Sequence, residues 1–229
     1  MMEKLFLYEE IMLLALRDEE GTIVSGSMYG FGLAGAIVAE LLLQHRITVE
    51  ENKRRRVVNV VDTTMLGDPL LDECLLKMQS AKRRATLSTW ISRFSGIRKL
   101  KHRVALQLCQ RGILRAEEDK ILLIFTRKIY PEVDPQPENE IKERLREAIF
   151  TEDMDINSRT LVLVSLANST SLLNANFDKK ALKERKQRIK AITAGEVTGK
   201  ATAEAIQAMQ AAVMVATIVP VIAAASSAS

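Results

Sequence analysis

The segment Gly32 to Gln44, GLAGAIVAELLLQ, limits the fold more than any other stretch of the chain. It is apolar around nearly its whole circumference and carries one acid, Glu40. A helix of that composition has no face to offer water, so it belongs inside the molecule with other elements packed around it. The remainder of a 229-residue chain is enough to supply that shell within one domain. Hydrophobic residues make up 47% and charged residues 27%, as in soluble globular proteins, which excludes a disordered or fibrous chain.

The surrounding elements are read from periodicity and punctuation. Leu5 to Leu16 carries Ile11, Met12, Leu14 and Ala15 with Glu9 and Glu10 among them, a short helix. Asp68-Pro69 opens a helix through Met78, with Asp68 as cap and Pro69 in the first turn. Thr86 to Phe94, around the only tryptophan, Trp90, and Lys101 to Arg111, closed by Gly112, continue the series. Glu140 to Phe150, Arg159 to Leu173 and a basic Lys179 to Lys190 complete it. The β-branched runs Ile47 to Val49 and Val57 to Val61 predict one hairpin; Gly112 to Leu114 and Lys120 to Phe125 predict a second across Arg115 to Asp119. Tyr130 to Asn139, with three prolines, reads as an exposed loop. The expected fold is mainly α: a single globular domain over residues 1–217, with a buried central hydrophobic helix, surrounding helices and two β-hairpins, followed by a loose Ala/Ser-rich tail at 218–229.

The net charge of +4 is unevenly spread. From Lys82 to Arg115 there are ten basic residues, Arg83, Arg84, Arg98, Lys99 and Lys101 among them, and no acid; elsewhere acids outnumber bases. Lys53-Arg54-Arg55-Arg56 is a second basic focus. Such fields attract phosphate backbones or an anionic membrane face, unless the fold brings acids to them from elsewhere. The most apolar run, Ala211 to Ala225, has 15 residues and contains Pro220, too short for a span of about 20. It reads as a core helix to about Ala216 with a loose end, and any membrane role is peripheral. Cys74 and Cys109, without a second pair, suit neither a disulfide framework nor zinc and fit a reducing cytosol.

Catalytic and metal motifs are sparse. Gly30-Phe31-Gly32-Leu33-Ala34-Gly35 is a literal G-x-G-x-x-G, but the four-residue strand candidate before it, Thr22 to Ser25, does not run into the first glycine, and a hairpin follows instead of a parallel strand. Small residues that let helices approach closely are the competing reading. His45 and His102 lack partners at metal spacing, no nucleophile signature appears, and neither a cofactor nor a metal is expected. The helices before the first hairpin, with Lys53 to Arg56 as a wing, suggest a nucleic-acid-binding alternative. Against it, the preceding helix lacks the Arg, Lys, Asn or Gln that reach base edges, and the 4% aromatic content gives no stacking platform.

In order along the chain, LFLYEEIMLLALRDEEG (Leu5 to Gly21), GLAGAIVAELLLQHRITVE (Gly32 to Glu50), GDPLLDECLLKM (Gly67 to Met78), WISRFSG (Trp90 to Gly96), QRGIL (Gln110 to Leu114), IKERLREAIF (Ile141 to Phe150) and RTLVLVSLANSTSLLNANF (Arg159 to Phe177) resemble the Golgi phosphoprotein 3 family. The resemblance implies a mainly helical domain around a buried helix, a hairpin at 112–125 used for membrane contact or self-association, and lipid binding without catalysis. It also implies a phosphatidylinositol 4-phosphate pocket built from a tryptophan before the central helix, an arginine in its first turn and basic residues in the helix matching 141–150. Here those places hold Ser25, Ala34, Arg144 and Glu147, so Arg144 alone is carried over.

The expected function is therefore that of a non-enzymatic, cytoplasmic protein peripherally attached to anionic phospholipid membrane. In that reading the N-terminus of the central helix, at Gly32 and Gly35, and Arg144 bind the headgroup, while Tyr29 and Phe31, in a glycine-rich loop, and Arg83, Arg84, Arg98, Lys99 and Lys101 contact the membrane. The competing reading packs Tyr29 and Phe31 into the core and ties Arg144 to Glu147 or another acid.

Overall fold

In the computed structural model the apolar segment lies where its composition requires. Helix α2 (Met28–Leu43) is buried from Gly32 through Leu42, and α1 (Leu7–Ala15) packs along it. The structure describes residues 4–16, 28–51, 56–121, 125–197 and 205–215. Around α2 stand α3 (Pro69–Gln79), α4 (Leu87–Ser95), α5 (Leu100–Gln110) and α7 (Ser158–Ser169); α6 (Gln136–Phe150) joins the shell through α1 and α7. The short α8 (Leu172–Asn176) and α10 (Lys186–Ala194) pack on α7, and α9 (Lys179–Glu184) packs against those two. Helical residues 205–215 bury Ala205, Ala208, Met209, Ala211, Ala212 and Val215. The remainder of the Ala/Ser-rich end lies outside the described residues.

Local chemistry sets the boundaries. Asp68 caps α3 by accepting from the Leu70 and Leu71 N–H groups, Thr86 caps α4 through Thr89 N–H, and Asn157 caps α7 through Thr160 N–H. Each satisfies a donor that a helix start leaves unpaired. Strands β1 (Ile47–Glu51) and β2 (Arg56–Val60) pair antiparallel with Ile47 opposite Val60, forming the first hairpin as expected.

Five boundaries differ from expectation, the first being the basic helix expected over Lys179 to Lys190, which divides at Arg185 into α9 and α10. Helix α2 begins at Met28, so Tyr29, Phe31 and the glycines belong to the helix and not to a loop before it. The second hairpin is β3 (Glu117–Ile121) with β4 (Phe125–Ile129). Glu117 to Asp119, read as part of its link, lie in β3, and the run read as its second strand is divided, with Lys120 and Ile121 in β3, Phe125 in β4 and residues 122–124 outside the described residues. The register sets Glu118 opposite Lys128 and Asp119 opposite Arg127, so opposite charges, instead of alternating apolar residues, mark this pairing. Helix α6 starts at Gln136, inside the proline-rich loop, because Pro137 falls in the first turn where no N–H is needed. The expected helix through Leu173 breaks at Ser171, whose φ of 63° is left-handed.

Candidate functional site

Arg144 lies on α6 beside a cavity of about 850 Å³ whose wall also includes Lys4, Arg111 and Arg159. Its Nη2 donates to Glu10 Oε1 at 2.6 Å, and Glu10 is 2% exposed. Arg159 Nε stands 3.5 Å from the other oxygen of Glu10, and its Nη1 is 3.0 Å from Glu40 Oε2. Glu40 Oε2 also accepts from Leu7 N–H at 2.8 Å, and Arg111 Nε meets Glu9 Oε1 at 2.9 Å. Three arginines thus answer three buried carboxylates at the junction of α1, α2, α6, α7 and the C-terminal end of α5. Burial disfavours the charged guanidinium of Arg159, but Glu10 and Glu40 outweigh it and hold its pKa above the ordinary arginine value. Burial raises the Glu9 carboxyl, opposed by Phe6 N–H and Arg111.

The sequence signals this network only through Glu9, Glu10, Glu40 and Arg159, charged residues inside apolar helices that folding has to pair. Arg144 is tied to an acid on another element, Glu10 and not Glu147.

The central helix offers no anion site at the expected glycines. Gly32 and Gly35 are the fifth and eighth residues of α2, beyond the four N–H groups that a helix start leaves free. A methyl group on Gly32 would lie 2.6 Å from Thr170 Cγ2, and one on Gly35 2.5 Å from Val215 Cγ2. The glycines are there for close approach of α2 to the end of α7 and to helical residues 205–215. The dinucleotide reading fails with them: the motif lies within a helix, and the described strands form two antiparallel pairs. Tyr29 and Phe31 are partly buried and pack against the core, and burial raises the Tyr29 pKa. Ser25 and Lys53 to Arg55 lie outside the described residues; Arg56 Nη1 donates to Gln210 Oε1 at 3.2 Å.

The basic stretch divides into two groups. Arg84 pairs with Glu50 at 2.6 Å, Arg103 with Glu73 at 2.6 Å, Arg111 with Glu9, and Arg115 with Glu117 at 2.6 Å. The fold therefore supplies acids that the stretch itself lacks. Hydrogen bonds from Arg103 hold the Glu73 carboxyl below its usual range. Arg93 rests 4.7 Å above the ring of buried Trp90. Lys82, Arg83, Arg98 and Lys99 are exposed and have no ion-pair partner among the described residues, while Lys101 is partly exposed.

These four cations flank the two ends of α4. A cavity of about 550 Å³ connects the flanks: Ala81 lies on one side, Gly96, Ile97 and Arg98 on the other, with Trp90 and Arg93 between. Lys99 adopts a left-handed φ of 56° at the sharp turn into α5. The cavity thus has Trp90 and Phe94 in its wall, Glu73 neutralised there by Lys77 and Arg103, and Arg98 as the lining cation without an ion-pair partner among the described residues, an arrangement able to receive a phosphate-bearing group. Among the described residues, no three His, Cys, Asp or Glu side chains converge to hold a metal ion, and no helix is long and apolar enough to cross a membrane.

The family model for Golgi phosphoprotein 3 (GPP34) matches residues 7–209, nearly the whole described fold. The chain belongs to the Golgi phosphoprotein 3 family. It is similar to vacuolar protein sorting-associated protein 74 of Eremothecium gossypii, 27% identical over 201 residues, covering 74% of this chain and 60% of the relative. The protein of the same name from Schizosaccharomyces pombe is 29% identical over 174 residues, covering 68% of this chain and 51% of the relative. The chain thus matches between half and three-fifths of the length of these curated relatives. Within this family chain, the buried central helix and both hairpins fall inside the matched range.

Proposed function

We propose that this member of the family is a non-enzymatic peripheral membrane protein that binds anionic phospholipid headgroups, phosphatidylinositol 4-phosphate or a related lipid, on the cytoplasmic face of a Golgi membrane. The observation that carries the reading is the set of four exposed cations at the two ends of α4, Lys82, Arg83, Arg98 and Lys99, which have no ion-pair partner among the described residues; Arg98 also lines the Trp90–Arg93 cavity. Each cation near an anionic surface contributes about 1 kcal/mol, so four give roughly 4 kcal/mol, a reversible, salt-sensitive attachment. The family name and the Golgi description of its model support the destination. Self-association through the second hairpin, expected at 112–125 and formed by β3 and β4, belongs to the same proposal.

The test is sedimentation with vesicles of neutral phosphatidylcholine, alone or doped with phosphatidylserine or phosphatidylinositol 4-phosphate. Binding is expected on the anionic vesicles and is expected to fall at least tenfold in an Arg98→Glu/Lys99→Glu variant. Equal recovery on neutral and anionic vesicles, or an unaffected variant, would reject the reading.

A further inference from the structure

The basic helical segment near the C-terminal end of the fold has a second charged surface, apart from α4. On α9 and α10 the cations separate by type and by use. Arg185 pairs with Glu152 and donates to the Phe150 carbonyl at 2.8 Å, and Arg188 donates to the Ala148 carbonyl at 3.2 Å, so both arginines bind the end of α6. Lys179, Lys183, Lys186 and Lys190 are all exposed and have no ion-pair partner among the described residues. Their spacing of four, three and four places them on one face of the helical path. All four line a groove of about 380 Å³.

The groove is more than a charged rim. Its wall includes Leu173, Leu182 and Ile189, each less than a tenth exposed. Asn168 and Asn174 also line it, and their side-chain amides make no hydrogen bond among the described residues. An amide presents both a donor and an acceptor, the complement of a peptide backbone. The four lysines extend over about 16 Å at 1.5 Å per residue, which corresponds to about five residues of extended chain. Carboxylates on alternate residues of such a chain recur at about 7 Å against about 5.4 Å for one helical turn, so five extended residues set three carboxylates within reach of the four long, flexible lysine side chains.

We infer that this groove docks an acidic, extended segment of a partner protein, with Asp or Glu on alternate residues facing the lysines and its backbone meeting Asn168 and Asn174. A planar membrane or a nucleic-acid duplex would engage the lysines at the rim but leave the recessed apolar wall and the amides unused. The inference does not depend on the membrane reading, because none of these residues belongs to the α4 surface.

The probe is a fluorescein-labelled decapeptide of alternating Glu and Ser, followed by anisotropy with the full chain, beside the same peptide with Gln for Glu, a duplex DNA and phosphatidylserine vesicles. The Glu peptide is expected to bind at least tenfold more tightly than the Gln peptide. Lys183→Glu/Lys186→Glu should weaken it about tenfold or more, because it reverses two of the four contacts. Vesicle binding by the same variant should stay at the wild-type level. A milder Lys179→Ala/Lys190→Ala variant should show a smaller loss in the same direction. Equal affinity for the Glu and Gln peptides, or an unchanged affinity in both variants, would overturn the inference. So would variants in which duplex or vesicle binding falls while peptide binding does not.

Discussion

Arg144 illustrates how a residue's role depends on what faces it. Read alone on an amphipathic helix, an arginine is available to any anion; here its Nη2 is 2.6 Å from Glu10, which is almost fully buried. Replacing it with Ala removes the short partner of a buried carboxylate and leaves Arg159 Nε at 3.5 Å as the nearest cation. The expected loss is about 1–2 kcal/mol in urea unfolding, with vesicle binding unchanged. Arg159→Met should cost more, about 3–5 kcal/mol, because it strands Glu40, which has no access to water, and weakens Glu10 as well. A variant of Arg144 that keeps full stability but loses vesicle binding would return the headgroup to that cavity.

At the scale of elements, α2 owes its position to what its small residues allow. A methyl group at Gly35 collides with Val215 and comes within 3.4 Å of Leu166, so Gly35→Ala is expected to destabilise by about 1–3 kcal/mol through overpacking. Gly30 has nothing within 4 Å, and Gly30→Ala should stabilise by about 0.5 kcal/mol through helix propensity. Thermal unfolding of the two variants separates the readings: opposite signs are expected, and a loss at both would mean that the G-x-G-x-x-G pattern serves something besides packing. Elsewhere punctuation was decisive. Asp-Pro at 68–69 and Thr86 marked helix starts that the structure reproduces. The second hairpin was misplaced because its strands carry charge where a half-buried strand would alternate.

For the whole molecule, two classes of charge should respond differently to salt. The buried pairs around Glu10 and Glu40 are shielded from counterions, whereas Lys82, Arg83, Arg98 and Lys99 are exposed. Between 0.1 M and 1 M salt the screening length falls from about 10 Å to about 3 Å. Binding to anionic vesicles should be largely abolished over that range while the urea midpoint moves little. A parallel loss of both would mean that the exposed cations also hold the fold together. The sequence by itself determined the fold class, because an apolar helix with one acid admits only a buried place, and it determined most helix starts, because capping and proline chemistry act over three or four residues. It also located the basic stretch. Tertiary structure alone decided which of those cations stay free, since the acids that neutralise Arg84, Arg103, Arg111 and Arg115 include Glu50, Glu73 and Glu9, on other elements of the chain. It also decided that Gly32 and Gly35 face helices instead of a ligand, and that Arg144 and Arg159 answer buried carboxylates. The pairings of Arg111, Arg144 and Arg159 bring residues more than 100 positions apart within hydrogen-bond distance, and no local pattern encodes which pairs will meet.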